Sequence, residues 1–202
     1  MYDELPKIFG DSAEDEFTKF LDEQNIPFLR IIQSKYKKSF SISKALTDKN
    51  YACRPDFTIY TKNEIFHIDV KKRYKNTKDN RFITEFSDRF YLWTYEIKEL
   101  FCLQNKIQLP VWLAFTDSAI QCTFFYASIS SINEFYLKSN ELLKNKYSNT
   151  YEKFKYNCKY IFIPEVLLYN DLSFEKGFCK KLNEQFFETE AEYLWKNYMG
   201  NT

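Results

Sequence analysis

Apolar and polar residues alternate with two different periodicities along the chain, and together these predict a mixed α/β protein. Apolar residues at three- and four-residue spacing indicate helices that bury one face, at residues 10–25, 84–105, 131–147 and much of 174–198. Short runs rich in β-branched and aromatic residues predict strands, at residues 26–33, 55–60, 65–71, 109–117, 121–129 and 159–164. The order α-β-β-β-α-β-β-α-β-α predicts one mixed α/β or α+β domain over residues 1–202.

Residues 54–72 predict a hairpin with one apolar face. Successive side chains of a strand point to opposite faces, so cross-strand partners must share a face. Pairing Phe57 with Val70, and Ile59 with Ile68, keeps the apolar residues together. This register requires a loop of two or four residues around Asn63–Glu64, which is a common hairpin length.

The other face of the predicted hairpin carries charge. The same register sets Asp56 opposite Lys71 and Thr58 opposite Asp69, so two carboxylates and an ammonium share this face. The carboxylates would repel each other unless a cation lay between them, and Mg²⁺ and Mn²⁺ prefer oxygen ligands. Lys71 could hold an attacking water or offset charge on a phosphate, which suits metal-assisted phosphodiester hydrolysis. The alternative is an exposed face with a weak cross-strand ion pair.

The pair Pro55-Asp56, followed after a short hairpin by Asp69-Val70-Lys71, resembles the signature of the PD-(D/E)XK nuclease superfamily. The resemblance implies a restriction-endonuclease-like fold, with a central mixed β-sheet of about four to five strands flanked by helices. It implies that Asp56, Asp69 and the carbonyl of Val70 bind a metal ion, Mg²⁺ or Mn²⁺. It also implies that Lys71 is the catalytic lysine.

The family typically adds a glutamate from a helix before the sheet, and residues 10–25 match that helix. Glu14 follows Gly10 by four residues, as in many resolvase-like members. The resemblance as a whole covers roughly residues 10–116 and implies that Glu14 is a catalytic group and a further metal ligand. Glu16 is the rival, because two residues on a helix differ by about 200° and only one can face the site. We favour Glu14, which is three residues from Phe17 on the apolar stripe.

The resemblance implies a Mg²⁺-dependent deoxyribonuclease, with DNA as its partner and a homodimer or partner subunit left open. A basic run follows the motif-bearing strand, where we expect contacts to backbone phosphates, from Lys72, Arg73, Lys75 and Lys78. The alternative functions are a degenerate member that binds nucleic acid or a protein without cleavage, and a scaffold protein. The sequence leaves open the choice of endonuclease or exonuclease, and that of DNA or RNA.

Composition and charge narrow the kinds of binding site and the location that the sequence allows. The net charge is +1, so a nucleic-acid surface must be a local patch. Three glycines give no phosphate-binding loop, and five scattered cysteines with one histidine argue against a zinc site or a disulfide framework. That histidine, His67, shares the charged face, and we interpret it as structural. No signal peptide or membrane-length apolar run is present, so we expect a cytoplasmic protein without a membrane partner.

Overall fold

The computed structural model describes residues 5–31, 55–72, 89–116, 123–170 and 183–199. Its helices are α1 (Leu5–Glu23), α2 (Thr94–Ile107), α3 (Ile129–Lys146), α4 (Tyr151–Asn157) and α5 (Glu184–Met199), with a 3₁₀ turn at Glu165–Leu167. Its strands are β1 (Phe28–Arg30), β2 (Phe57–Tyr60), β3 (Ile65–Lys72), β4 (Tyr91–Trp93), β5 (Val111–Thr116), β6 (Phe124–Ser128) and β7 (Tyr160–Phe162). No helix in these ranges is long and apolar enough to span a bilayer.

Five strands form a mixed sheet in the order β1-β2-β3-β5-β6. β3 and β5 are parallel, whereas the other neighbours are antiparallel. A parallel pair needs a crossover connection, and α2 lies on the one between β3 and β5. β4 and β7 form a separate antiparallel pair. The predicted mixed α/β architecture, with a central sheet of four to five strands flanked by helices, is confirmed.

Each face of the five-stranded sheet packs against its own apolar cluster. Ala13, Phe17 and Leu21 recur every four residues and turn one stripe of α1 inwards. Phe17 makes edge contacts with Phe57 and Phe124, at centroid distances of 5.1 and 4.9 Å. This cluster includes the predicted apolar face of the hairpin, Phe57, Ile59, Ile68 and the partly buried Val70. A larger cluster on the opposite face joins the sheet to α2, α3 and α5.

The hairpin register differs from the prediction by two residues. Phe57 pairs with Ile68, and the predicted pairing of Phe57 with Val70 is wrong. The turn decides the register, because Thr61 N–H donates to the carbonyl of Glu64 and Thr61 Oγ1 accepts from the Glu64 amide. These bonds close a four-residue loop. A shift of two leaves every side chain on its predicted face, because strand side chains alternate with a period of two.

The predicted helix over 84–105 begins later than its apolar spacing indicated. α2 starts at Thr94, while Tyr91–Trp93 is extended and pairs with β7. Phe90 is buried in the larger cluster but lies outside the helix. Aromatic residues suit a strand as well as a helix face, and only the distant partner strand distinguishes the two. Phe86 and residues 174–182, also predicted helical, lie outside the described residues.

Candidate active site

Three hydrogen bonds to the backbone of neighbouring residues hold Asp56 at the start of β2. Pro55 precedes it and has no N–H to continue the ladder. The Asp56 amide donates to the Ile68 carbonyl at 2.9 Å, and the Asp56 carbonyl accepts from Ile31 N–H at 2.7 Å. Its carboxylate Oδ2 accepts the amide of Val70 at 2.7 Å. The side chain of Asp56 therefore binds the backbone of β3 just beyond the last paired residues, Phe57 and Ile68.

Asp69 and Lys71 lie on the same face of β3, and the observed register places them beside Asp56. Phe57 pairs with Ile68, so one residue further along the register Asp56 lies opposite Asp69 rather than opposite Lys71. Asp56 is 5% exposed and Asp69 4% exposed. Lys71 Nζ lies 2.7 Å from Asp69 Oδ2. The two carboxylates are buried, so the interpretation as an exposed ion pair is wrong.

The pKa of Asp56 responds to its burial and to the charges around it. Burial first, and then the charges of Asp69 and Glu14, raise the pKa of Asp56 from 3.8 to about 8. The Val70 amide and the Lys71 ammonium act in the opposite direction. Burial, and then the neighbouring charge of Asp69, therefore favour the protonated form of Asp56 in the metal-free protein.

Glu14 lies on α1, which packs on the other face of the sheet, and it forms an ion pair with Arg30. Its carboxylate Oε2 lies 3.0 Å from Nη2 of Arg30, while Arg30 Nη1 donates to Asp15 at 2.6 Å. Glu14 is near enough for its charge to raise the pKa of Asp56. Glu16 lies about 200° further round the helix. Sequence reasoning did not foresee Arg30, whose only signal was a cation in the first predicted strand.

Glu96 is the second group that sequence reasoning missed. Its Oε1 accepts from Lys71 Nζ at 2.9 Å, and its Oε2 accepts from the Trp93 amide at 3.1 Å. Glu96 is 9% exposed, so the site holds a third buried carboxylate. A glutamate three residues inside a helix start is a capping signal. The predicted start near residue 84 placed Glu96 in mid-helix and concealed that signal.

His67 has a local partner within the sheet. Its Nδ1 lies 3.0 Å from Thr58 Oγ1 in a hydrogen bond, and the two residues are cross-strand neighbours. Partial burial lowers the pKa of His67, which favours the neutral ring. The bonded neutral ring fits the structural role expected for this histidine.

Two predictions about ligands remain untested. Lys72 is the last residue of β3, while Arg73, Lys75 and Lys78 lie outside the described residues. Within the described part of the chain, no three His, Cys, Asp or Glu residues form a group that could hold a metal ion. Phosphate binding by the basic run and metal binding by Glu14, Asp56, Asp69 and Val70 therefore stay predictions.

The donor atoms nevertheless fit a hard cation. The carboxylates of Asp56 and Asp69 supply the oxygen ligands that Mg²⁺ and Mn²⁺ prefer. Asp69 Oδ2 is buried and makes no hydrogen bond to the described residues, since Lys71 approaches it as a charge without hydrogen-bond geometry. A buried carboxylate oxygen without a hydrogen bond suits a cation that displaces the ammonium of Lys71 from it.

Comparisons with known proteins add a distant structural likeness. The sequence matches no protein-family profile and no curated protein. Among solved structures, the chain is similar to Hjc, a Holliday junction resolvase from the archaeal hyperthermophile Archaeoglobus fulgidus. The match covers 60% of this chain and 78% of the resolvase, with 14% sequence identity and a TM-score of 0.40. At this distance, function must be inferred from the residues of the site itself.

The raised pKa of Asp56 predicts a pH-dependent stability in the metal-free protein. A carboxyl whose pKa rises from 3.8 to about 8 on folding stabilises the fold below the lower value, and this contribution is lost as pH rises through the upper one. In EDTA, the free energy of unfolding in urea should fall between about pH 5 and about pH 8. Asp56→Asn should flatten this fall, because the amide accepts the Val70 N–H without carrying charge.

The matched control for that measurement is Asp22→Asn, which changes an exposed aspartate on α1. This variant should keep the wild-type slope. Equal slopes for wild type and Asp56→Asn would contradict the raised pKa of Asp56.

Proposed function

We propose that the protein is a Mg²⁺- or Mn²⁺-dependent nuclease of the PD-(D/E)XK superfamily that hydrolyses phosphodiester bonds in DNA. The observation that carries the proposal is the burial of Asp56 and Asp69 together beside the ammonium of Lys71. Two buried carboxylates destabilise a fold that lacks a compensating cation. Ionisable groups with strongly shifted pKa values collect at functional sites, and the pKa of Asp56 is shifted in this way.

The metal would be held by the carboxylates of Asp56 and Asp69 and the carbonyl of Val70, with Glu14 as a further ligand. When bound, the ion would supply a polarised water and positive charge for a phosphate oxygen. The Val70 amide fixes one oxygen of Asp56, so the carboxylate keeps its orientation when it loses its proton. Arg30 restrains Glu14 at the margin of the site.

Lys71 is the chain's own contribution to the chemistry. Its ammonium lies on the same sheet face as Asp69 and is largely buried, with 14% of the side chain exposed. A cation fixed in such a place stabilises charge that develops on a phosphate oxygen more strongly than one in water does. Lys71 would also orient the attacking water, so its loss should impair the reaction rather than the binding of substrate.

Two substitutions separate metal binding from the chemical step. Asp69→Asn removes a ligand charge, so Mn²⁺ affinity and DNA cleavage should fall together. Lys71→Ala should leave Mn²⁺ binding intact or tighter, while cleavage falls by about 10²–10³, the scale for one preorganised transition-state group. Calorimetry measures the first quantity, and cleavage of single-stranded, duplex and branched DNA with Mg²⁺ or Mn²⁺ measures the second.

The outcome with wild-type protein decides between the functions. Mn²⁺ binding with cleavage of any substrate supports the nuclease. DNA binding without cleavage of any substrate would instead favour a degenerate, non-cutting member of the family. If the protein neither cleaves DNA nor binds DNA or metal, the nuclease proposal fails and the buried charges are structural.

The choice between Glu14 and Glu16 is tested by matched substitutions on one helix. Glu14→Gln should reduce cleavage, because the charge of Glu14 acts on Asp56 across the site. Glu16→Gln should leave cleavage near the wild-type rate, since its side chain lies on a different side of α1. Initial rates at several Mg²⁺ concentrations give the comparison. A larger loss from Glu16→Gln would show that Glu16 is the ligand.

The basic run after β3 should bind DNA phosphates. Replacing Lys72, Arg73, Lys75 and Lys78 by Ala should weaken binding equally across DNA sequences. The slope of log affinity against log salt should flatten by about 1 for each phosphate that the variant no longer binds. Fluorescence anisotropy at several salt concentrations, with Ca²⁺ in place of Mg²⁺, measures this slope.

The control for the basic run removes positive charge elsewhere on the surface. Lys144, Lys153 and Lys155 are exposed on α3 and α4. Their replacement by Ala should reduce the salt slope much less. An unchanged slope in the first variant would place the DNA on another surface.

A further inference from the structure

Lys71 lies between two carboxylates, and only one of them belongs to the proposed metal site. Its Nζ is 2.7 Å from Asp69 Oδ2 and 2.9 Å from Glu96 Oε1. We propose that Glu96 is a positioning residue that draws the ammonium of Lys71 away from Asp69, so that Asp69 can bind the cation. This inference rests on the proposed function, since it concerns the same site.

The reason lies in competition for one oxygen. A cation at Asp69 Oδ2 must displace the ammonium that now lies against it. A displaced ammonium in a largely buried place is unfavourable unless another charge accepts it. Glu96 already accepts a hydrogen bond from Lys71, so the ammonium keeps a partner when the cation binds. Without Glu96, Lys71 would bind Asp69 more strongly and compete with the cation.

The tertiary structure holds Glu96 in the position that this role requires. Its second oxygen accepts the Trp93 amide at the start of α2, where the helix dipole also favours negative charge. Ile97 and Leu100 anchor α2 in the larger apolar cluster. Trp93 belongs to β4, which pairs with β7. The position of the lysine is therefore linked to elements far along the chain from the carboxylates.

A purely capping role for Glu96 is the competing explanation, and Glu96→Gln separates the two. Glutamine retains an oxygen for the Trp93 amide but loses the charge that attracts Lys71. In calorimetry, Glu96→Gln should weaken Mn²⁺ binding by about 10-fold or more, the scale for a residue that orients a ligand. In a Lys71→Ala background, the same substitution should leave Mn²⁺ affinity unchanged, because no ammonium competes.

Glu190→Gln is the matched control. Glu190 is 8% exposed on α5, and its Oε2 lies 2.5 Å from Nη1 of Arg89, so this variant also breaks a buried carboxylate–cation pair. It should lower the melting temperature without changing Mn²⁺ affinity. If Glu96→Gln does not fold, Glu96→Asp replaces it. The shorter carboxylate should weaken Mn²⁺ binding in the same direction, again only when Lys71 is present.

The outcomes are distinct. Equal losses of Mn²⁺ affinity with and without Lys71 would show that Glu96 acts directly on the cation, and no loss would leave it as a helix cap; either result overturns the inference.

Coupling between Glu96 and Lys71 in a protein that cuts no DNA would support the inference while the nuclease proposal fails. Cleavage of DNA by the wild-type protein without coupling between Glu96 and Lys71 would support the nuclease proposal and overturn the inference. In an active enzyme, Glu96→Gln should lower kcat with little change in KM for DNA.

Discussion

The repulsion between two buried carboxylates is the constraint on which this structure depends. Asp56 and Asp69 are almost fully removed from water, and the pKa of Asp56 rises to about 8 as a result. The surrounding groups offset part of this repulsion. The Val70 amide binds Asp56, and the Lys71 ammonium lies against Asp69. A cation between the carboxylates would offset the remainder, and its binding would then stabilise the fold.

The two apolar clusters explain how the fold tolerates this arrangement. Phe17 and its neighbours hold α1 on one face of the sheet, and α2, α3 and α5 cover the other. The buried carboxylates lie at the start of β2 and within β3, two neighbouring strands between these clusters. Proteins commonly accept local destabilisation at a functional site and compensate for it elsewhere. Phe17 packs against Phe57, which follows Asp56 in the chain, so the aromatic core adjoins the start of β2.

Charged side chains from four separate elements form two groups of ion pairs, one centred on Arg30 and one on Lys71. Glu14 comes from α1, Arg30 from β1, Asp69 and Lys71 from β3, and Glu96 from α2. The short pair of β4 and β7 sets where α2 begins, and so where Glu96 lies. A site assembled from several elements is sensitive to their packing, because a small displacement alters several charge distances at once.

The local sequence determined the hairpin, the alternation that separates Phe57 and Ile68 from Asp69 and Lys71, and the mixed α/β class. Strand alternation is a local property, so these features survive even an error of two residues in register. Tertiary structure decided the rest. The turn bonds of Thr61 fixed the register, the pairing of β4 with β7 fixed the start of α2, and packing buried the carboxylates. Arg30 and Glu96 could not be predicted as site residues, because their roles depend on contacts between elements that lie far apart in the chain.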